Sequence, residues 1–191
     1  MAWIAALLAA YVVIQHFFVF GMAFVNDDYT ILDKVGRASF ASLWTAERPL
    51  WGWYRPWSRE LHYWTLQRLF GARELPFHLA SFALWLSLLV TYWALVRRIA
   101  GGAAAAVAVA GSAALAAWGV PLLWVAGVQE LWMLLASLLA LLAWLAGRRA
   151  LSALALAVAL LSKETAAVVA PLVVAVAFLV EGKSIKHHAE G

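Results

Sequence analysis

The chain has 191 residues, of which 66% are apolar and 13% charged, against roughly 45–50% and 25% in ordinary soluble domains. More than half of the charged side chains fall between Asp27 and Glu74, and there is no cysteine. These values exclude a soluble globular domain, a disordered chain and a disulfide-stapled scaffold, and they point to an all-α integral membrane protein. The net charge of +4 comes largely from Arg and Lys pairs at the ends of apolar runs, which is an orientation pattern and not a nucleic-acid surface.

In chain order, residues 2–25 form the first run long enough to cross a bilayer core of about 30 Å, which takes roughly 20 helical residues. No basic side chain precedes this run, and it is longer than a signal-peptide core, so it reads as a retained helix. A polar segment of 51 residues, Asn26 to Pro76, follows. The second span runs from Phe77 to Val96 and stops at Arg97-Arg98. The third covers about 103–118 and the fourth about 122–146, the latter ended by Gly147-Arg148-Arg149. Residues 150–162 give a short fifth helix and 165–180 a sixth, before a polar tail at 183–191. The expectation is a single membrane domain over 1–191 with about six transmembrane helices and a large, partly helical first outer loop. Placing both termini in the cytoplasm puts Arg97-Arg98, Arg148-Arg149 and Lys183/Lys186 inside, which satisfies the positive-inside rule. The 26–76 loop is then periplasmic, and the localisation is a bacterial inner membrane.

That loop carries most of the chemistry. Asp27 and Asp28 stand where the first helix leaves the bilayer; adjacent carboxylates repel unless a cation or metal pairs with them. Such an acid can take a proton from an acceptor hydroxyl or amine, or ligate a divalent ion, although nothing in the sequence requires a metal. Ile31, Leu32, Val35 and Leu43 share one helical face opposite Asp33, Lys34 and Arg37, the pattern of an amphipathic helix lying on a membrane. Five of the twelve Trp lie in the loop, as expected of an aromatic belt at headgroup level. The 57–70 stretch has no single apolar face, so it is expected to pack against protein as part of a folded cap. Tyr54-Arg55-Pro56 sets a cation beside a rigid turn, where two parallel hydrogen bonds can hold a phosphate.

Beyond the loop, Glu130 is the only acid embedded in an apolar span, with Gln129 beside it. Lys163-Glu164 brings a second cation and acid to the same outer face. His62 and His78 are lesser candidates, and His187-His188 sit in the tail. Acids and cations together at headgroup level suit a substrate with a phosphate in the interface and a reactive carbon beside it, such as a polyprenyl-phosphate sugar.

The order Asn26-Asp27-Asp28-Tyr29, Tyr54-Arg55-Pro56, Leu69-Phe70-Gly71, Pro76-Phe77-His78-Leu79 and Leu161-Ser162-Lys163-Glu164, then Pro171, resembles the GT-C-fold glycosyltransferases, in particular the protein O-mannosyltransferase and aminoarabinose transferase-like group. The resemblance implies a lipid-linked sugar donor and a catalytic acid at Asp27 or Asp28, with Asp27 preferred. It implies substrate contacts from Tyr54, Arg55, Glu130, Lys163 and Glu164. Family members continue for several hundred residues, so the chain is expected to be an N-terminal module. The implied partners are membrane lipid, the lipid-linked donor and other membrane subunits that supply missing helices. The alternative is a non-catalytic integral subunit of a larger complex.

Overall fold

The computed structural model describes residues 11, 14–45, 50–173 and 175, and all the regular elements among them are helical. Seven α-helices are labelled in chain order: α1 (Asp27–Gly36), α2 (His62–Phe70), α3 (Glu74–Ala100), α4 (Gly102–Ala113), α5 (Gly119–Leu123), α6 (Val128–Leu145) and α7 (Arg149–Ser162). A π-helical stretch, Pro56–Leu61, leads into α2, and short 3-10 turns fill most of the remaining connections.

Two segments are long and apolar enough to cross a membrane: Glu74–Ala100 and Val125–Leu145, the second being α6 with its leading turn. The count rises to three if α4 and the following Ala116–Leu123 segment, bent by 55°, form one broken span. Of the six expected spans, two or three are therefore shown among the described residues. The third is interrupted because α4 ends at Ala113, leaving it only about 18 Å long. Trp118 Nε1 then folds back and donates to the Ser112 carbonyl at 2.7 Å, which also accepts from Leu115 N–H at 3.1 Å. The fifth, α7, has 14 residues and reaches about 21 Å. Residues 2–10, 12 and 13 of the expected first span, the end of the sixth and the 183–191 tail with His187-His188 lie outside the described residues.

Helices α3 and α6 run in the same direction, with Phe77 near Val128 at their starts and Arg98 bonded to the Leu145 carbonyl at their ends. Helix α7 returns antiparallel to α6, with which it forms the most extensive helix pair. One end of the bundle therefore carries the starts of α3 and α6 and the end of α7. The other end gathers Arg97, Arg98, Arg148 and Arg149. In the bundle, Trp85, Leu88 and Leu89 of α3 pack with Ala113, Leu122, Leu131 and Leu135.

The described residues of the 26–76 segment form a protein-bound cap. Ile31, Leu32 and Val35 of α1 are buried against Tyr63, Phe77, Val125 and Val128. The apolar face of α1 thus meets the bundle, not the membrane surface expected from its pattern. A helix with one apolar stripe buries it against whatever apolar surface is nearest, and here that surface is the start of α3 and α6. Leu43 is buried too, but on a separate 3-10 turn, because α1 stops at Gly36. Trp44, Trp57 and Trp64 of the expected belt pack inward, with the Phe40–Trp64 and Trp57–Trp132 rings 5.8 Å apart and Trp44–Trp57 6.5 Å apart, whereas Trp53 is exposed. Fully buried His78 on α3 bridges two further segments, with Nε2 3.1 Å from the Met22 carbonyl and Nδ1 3.2 Å from that of Leu122.

Gly127 marks the tightest approach in this region. A Cβ placed there would lie 2.5 Å from Pro121 Cα and about 3.1–3.2 Å from that residue's carbonyl atoms. Gly127→Ala is expected to destabilise the fold by ~1–3 kcal/mol through overpacking against backbone. Thermal unfolding of the purified protein in detergent measures this as a lowered midpoint.

Candidate functional site

Asn26 has φ = +43°, a left-handed value that Asn tolerates better than most residues. This turn sends the chain back on itself at the start of α1. Asp28 N–H donates to the Val25 carbonyl at 3.0 Å, and Val25 N–H donates in return to Asp28 Oδ2 at 2.9 Å. The second carboxylate oxygen, Oδ1, accepts from the Tyr63 hydroxyl at 2.6 Å and from Ala126 N–H at 2.9 Å. Asp28 is fully buried, so its three donors take the place of water. Burial, reinforced by the Asp28 and Asp27 charges, pushes the Tyr63 phenol well above its ordinary range, so it stays a donor at neutral pH. Asp27, one residue earlier, is half-buried and has no hydrogen bond or ion pair among the described residues. The two adjacent carboxylates therefore differ in kind: one holds the cap, the other is uncommitted.

The Asp28 contact fixes the peptide of Ala126, and the site builds outward from there. Gln129 Nε2 donates to the Ala126 carbonyl at 3.0 Å, which aims its Oε1 at Arg55, whose NH1 donates to it at 2.9 Å. Arg55 also grips Glu164 through two parallel bonds, Nε to Oε2 at 2.9 Å and NH2 to Oε1 at 2.6 Å. Arg55 further lies 5.3 Å above the Trp53 ring. Lys163, the neighbour of Glu164, is ion-paired with Glu130, the neighbour of Gln129. The Arg55 hydrogen bonds hold the Glu164 carboxyl below its usual range, so that group is anionic at neutral pH. Ser58 Oγ donates to the Ser162 carbonyl at 2.6 Å and closes the same seam between the π-helical stretch and the end of α7.

Of the residues singled out from sequence, Arg55, Glu130, Lys163 and Glu164 come together, and Asp28 joins them through the Ala126–Gln129 turn. Tyr54 does not: it is exposed, and its hydroxyl donates to the Trp44 carbonyl at 2.9 Å, tying one part of the cap to another. His62 has Trp132 Nε1 donating to its Nδ1 at 3.3 Å, and burial lowers its pKa to about 4, so it is neutral at pH 7.

Sequence reasoning missed a second buried group. Arg59 and Glu60 are both nearly inaccessible and are paired at 2.6 Å, with Lys34 of α1 reaching Glu60 at 2.9 Å. Arg59 also donates to the carbonyls of Trp53 (2.6 Å) and Leu50 (3.3 Å). The π-helical winding, whose hydrogen bonds reach one residue further than those of an α-helix, changes the facing of these side chains and so hides them from helical periodicity. The available signal was that the 57–70 stretch does not resolve into one apolar face.

A divalent ion does not fit the residues present. Asp28 is saturated by three donors and Glu130 and Glu164 are neutralised by Lys163 and Arg55, which leaves Asp27 as the one uncommitted carboxylate of this group. Among the described residues no three His, Asp or Glu side chains converge as a ligand set. Comparison with protein-family models, curated proteins and solved structures finds no match to this chain.

The Tyr63 hydrogen bond is directly testable. Tyr63→Phe removes one donor from a buried carboxylate and is expected to cost about 1.5–3 kcal/mol, as for other hydrogen bonds to a charged group. Unfolding midpoints of the variant and the unmodified protein in the same detergent measure the loss. An unchanged midpoint would contradict the assignment of Asp28 as the anchor of the cap.

Proposed function

We propose that the chain is a membrane glycosyltransferase-like protein, an N-terminal module of GT-C type that transfers a sugar from a polyprenyl-phosphate donor at the periplasmic face of a bacterial inner membrane. One observation carries this reading. Arg55 and Lys163, cations from segments 108 residues apart in sequence, meet the same short stretch, Gln129-Glu130. The Ala126 peptide next to that stretch is held by the Asp27-Asp28 corner. In this reading the chain crosses the membrane six times with both termini in the cytoplasm, and the cap and its charged seam face the periplasm.

The chemistry follows from the residues. The acceptor oxygen or nitrogen attacks the anomeric carbon, and the carbon–oxygen bond to the lipid phosphate breaks with its electron pair leaving on the phosphate. Asp27, the uncommitted carboxylate, receives the acceptor proton. Arg55 and Lys163 neutralise the departing phosphate, Arg55 through the same bidentate geometry it now uses on Glu164. Glu130 and Glu164 keep the two cations oriented before the donor arrives, and Asp28 positions the turn without touching substrate. No metal enters this scheme.

A second reading is a non-catalytic integral subunit. What favours it is that Arg55, Lys163, Glu130 and Glu164 are already paired with one another, as in a staple between cap and bundle. Asp27→Asn separates the two. On the catalytic reading it lowers transfer from a radiolabelled polyprenyl-phosphate sugar by roughly 10²–10⁴-fold with the unfolding midpoint unchanged. Undiminished turnover removes Asp27 from the chemistry. Absence of turnover in every form, together with a stably co-purifying membrane partner, supports the subunit.

A further inference from the structure

The end of the bundle opposite the charged seam holds four arginines, and they are not equivalent. Arg97 lies over the Trp93 ring at 4.9 Å and Arg149 over Trp144 at 3.6 Å. Arg98 and Arg148 instead line the mouth of a groove of about 640 Å³ along the α6–α7 pair. Arg98 NH2 donates to the Leu145 carbonyl at 2.5 Å, which fixes its guanidinium at that mouth. From there the groove runs over Ala143, Ala136 and Ala155, small side chains that leave depth between the helices, and ends at Trp132 and Trp57 beneath the cap. Apart from its two arginines, its lining is almost wholly apolar.

We infer that this groove binds one anionic glycerophospholipid, with its phosphate on Arg98 and Arg148 and an acyl chain laid along α6 and α7. Charge and length both select this occupant. Two guanidiniums at one end of an apolar trough match a ligand with an anionic head and a hydrocarbon tail, and basic pockets between membrane helices recognise such headgroups. The trough spans positions 132 to 146 of α6 and the following turn, about 21 Å of helix. That exceeds the roughly 15 Å depth of one leaflet, so a full acyl chain is accommodated. The site is separate from the seam at Arg55 and Lys163 and does not depend on the glycosyltransferase reading. A zwitterionic lipid would bring its own headgroup cation beside the two guanidiniums, which repel it.

The test uses the full chain reconstituted in nanodiscs of equimolar phosphatidylglycerol and phosphatidylcholine with identical acyl chains. Protein released into detergent is then weighed by native mass spectrometry, and retained lipid is counted. The expected result is about one retained phosphatidylglycerol per chain, with roughly tenfold preference over phosphatidylcholine. R98Q/R148Q brings this preference to parity, while the charge-matched R97Q/R149Q keeps it. If R98Q/R148Q does not fold, Ala143→Phe, which fills the trough and leaves all four arginines, is expected to lose the bound lipid. Equal retention of the two lipids by the unmodified chain overturns the inference, as does no retained lipid, which would leave the groove to another segment of the chain. Equal losses in the two double variants, or lipid retained unchanged in Ala143→Phe, overturn it as well.

Discussion

The arrangement depends on one buried carboxylate. Asp28 receives hydrogen bonds from its own turn at Val25, from the cap at Tyr63 and from the bundle at Ala126. A carboxylate removed from water is tolerated only when its lone pairs are met, so these three segments are not free to separate. Removing any one of them leaves a buried charge short of a partner, which makes the junction cooperative. The close approach of Gly127 to Pro121 acts in the same place, since only a residue without Cβ lets the chain fold back so near Ala126.

The charged seam is a consequence of that junction. With Ala126 fixed, Gln129 is held by its carbonyl and faces Arg55, and Glu130, one residue on, meets Lys163. Individual ion pairs at this level of exposure contribute little to stability. Their value lies in position: they hold two cations side by side at the end of the bundle, where an anionic group entering from the interface would compete for them. The buried Arg59–Glu60–Lys34 group does the corresponding work inside the cap, linking the π-helical stretch to α1.

Some of this was legible in the sequence and some was not. The apolar runs, and the confinement of charge to a few places, were enough to read an all-helical membrane-type chain. The helix end just before Gly147-Arg148-Arg149 follows from the same composition, while Arg97-Arg98 fall inside the last turn of α3, which runs on to Ala100. The meeting of Arg55 with Glu164 and of Glu130 with Lys163 was readable as shared placement at one end of the spans. Three features were beyond reach for physical reasons. The difference between Asp27 and Asp28 depends on the φ of Asn26 and on a peptide 98 residues away. Helix α1 has the pattern of a membrane-surface helix, because an apolar stripe looks the same whether lipid or protein covers it. Hydropathy reads residues 103–118 as one span, because Ala, Val and Gly are apolar on both sides of the 55° bend.

The central claim, that cap and bundle meet at Arg55 and Glu164, is most directly tested by proximity in the membrane. The chain has no cysteine, so Arg55→Cys with Glu164→Cys gives a background-free pair. A protease site placed at the Gly101-Gly102 turn lets cross-linking by a short bifunctional maleimide be read as fragments that stay joined after cleavage. The account predicts joined fragments for this pair and separated fragments for Arg55→Cys with Arg149→Cys, whose sites lie at opposite ends of the bundle. Complete separation for the first pair, or joining of the second to the same extent, would contradict it.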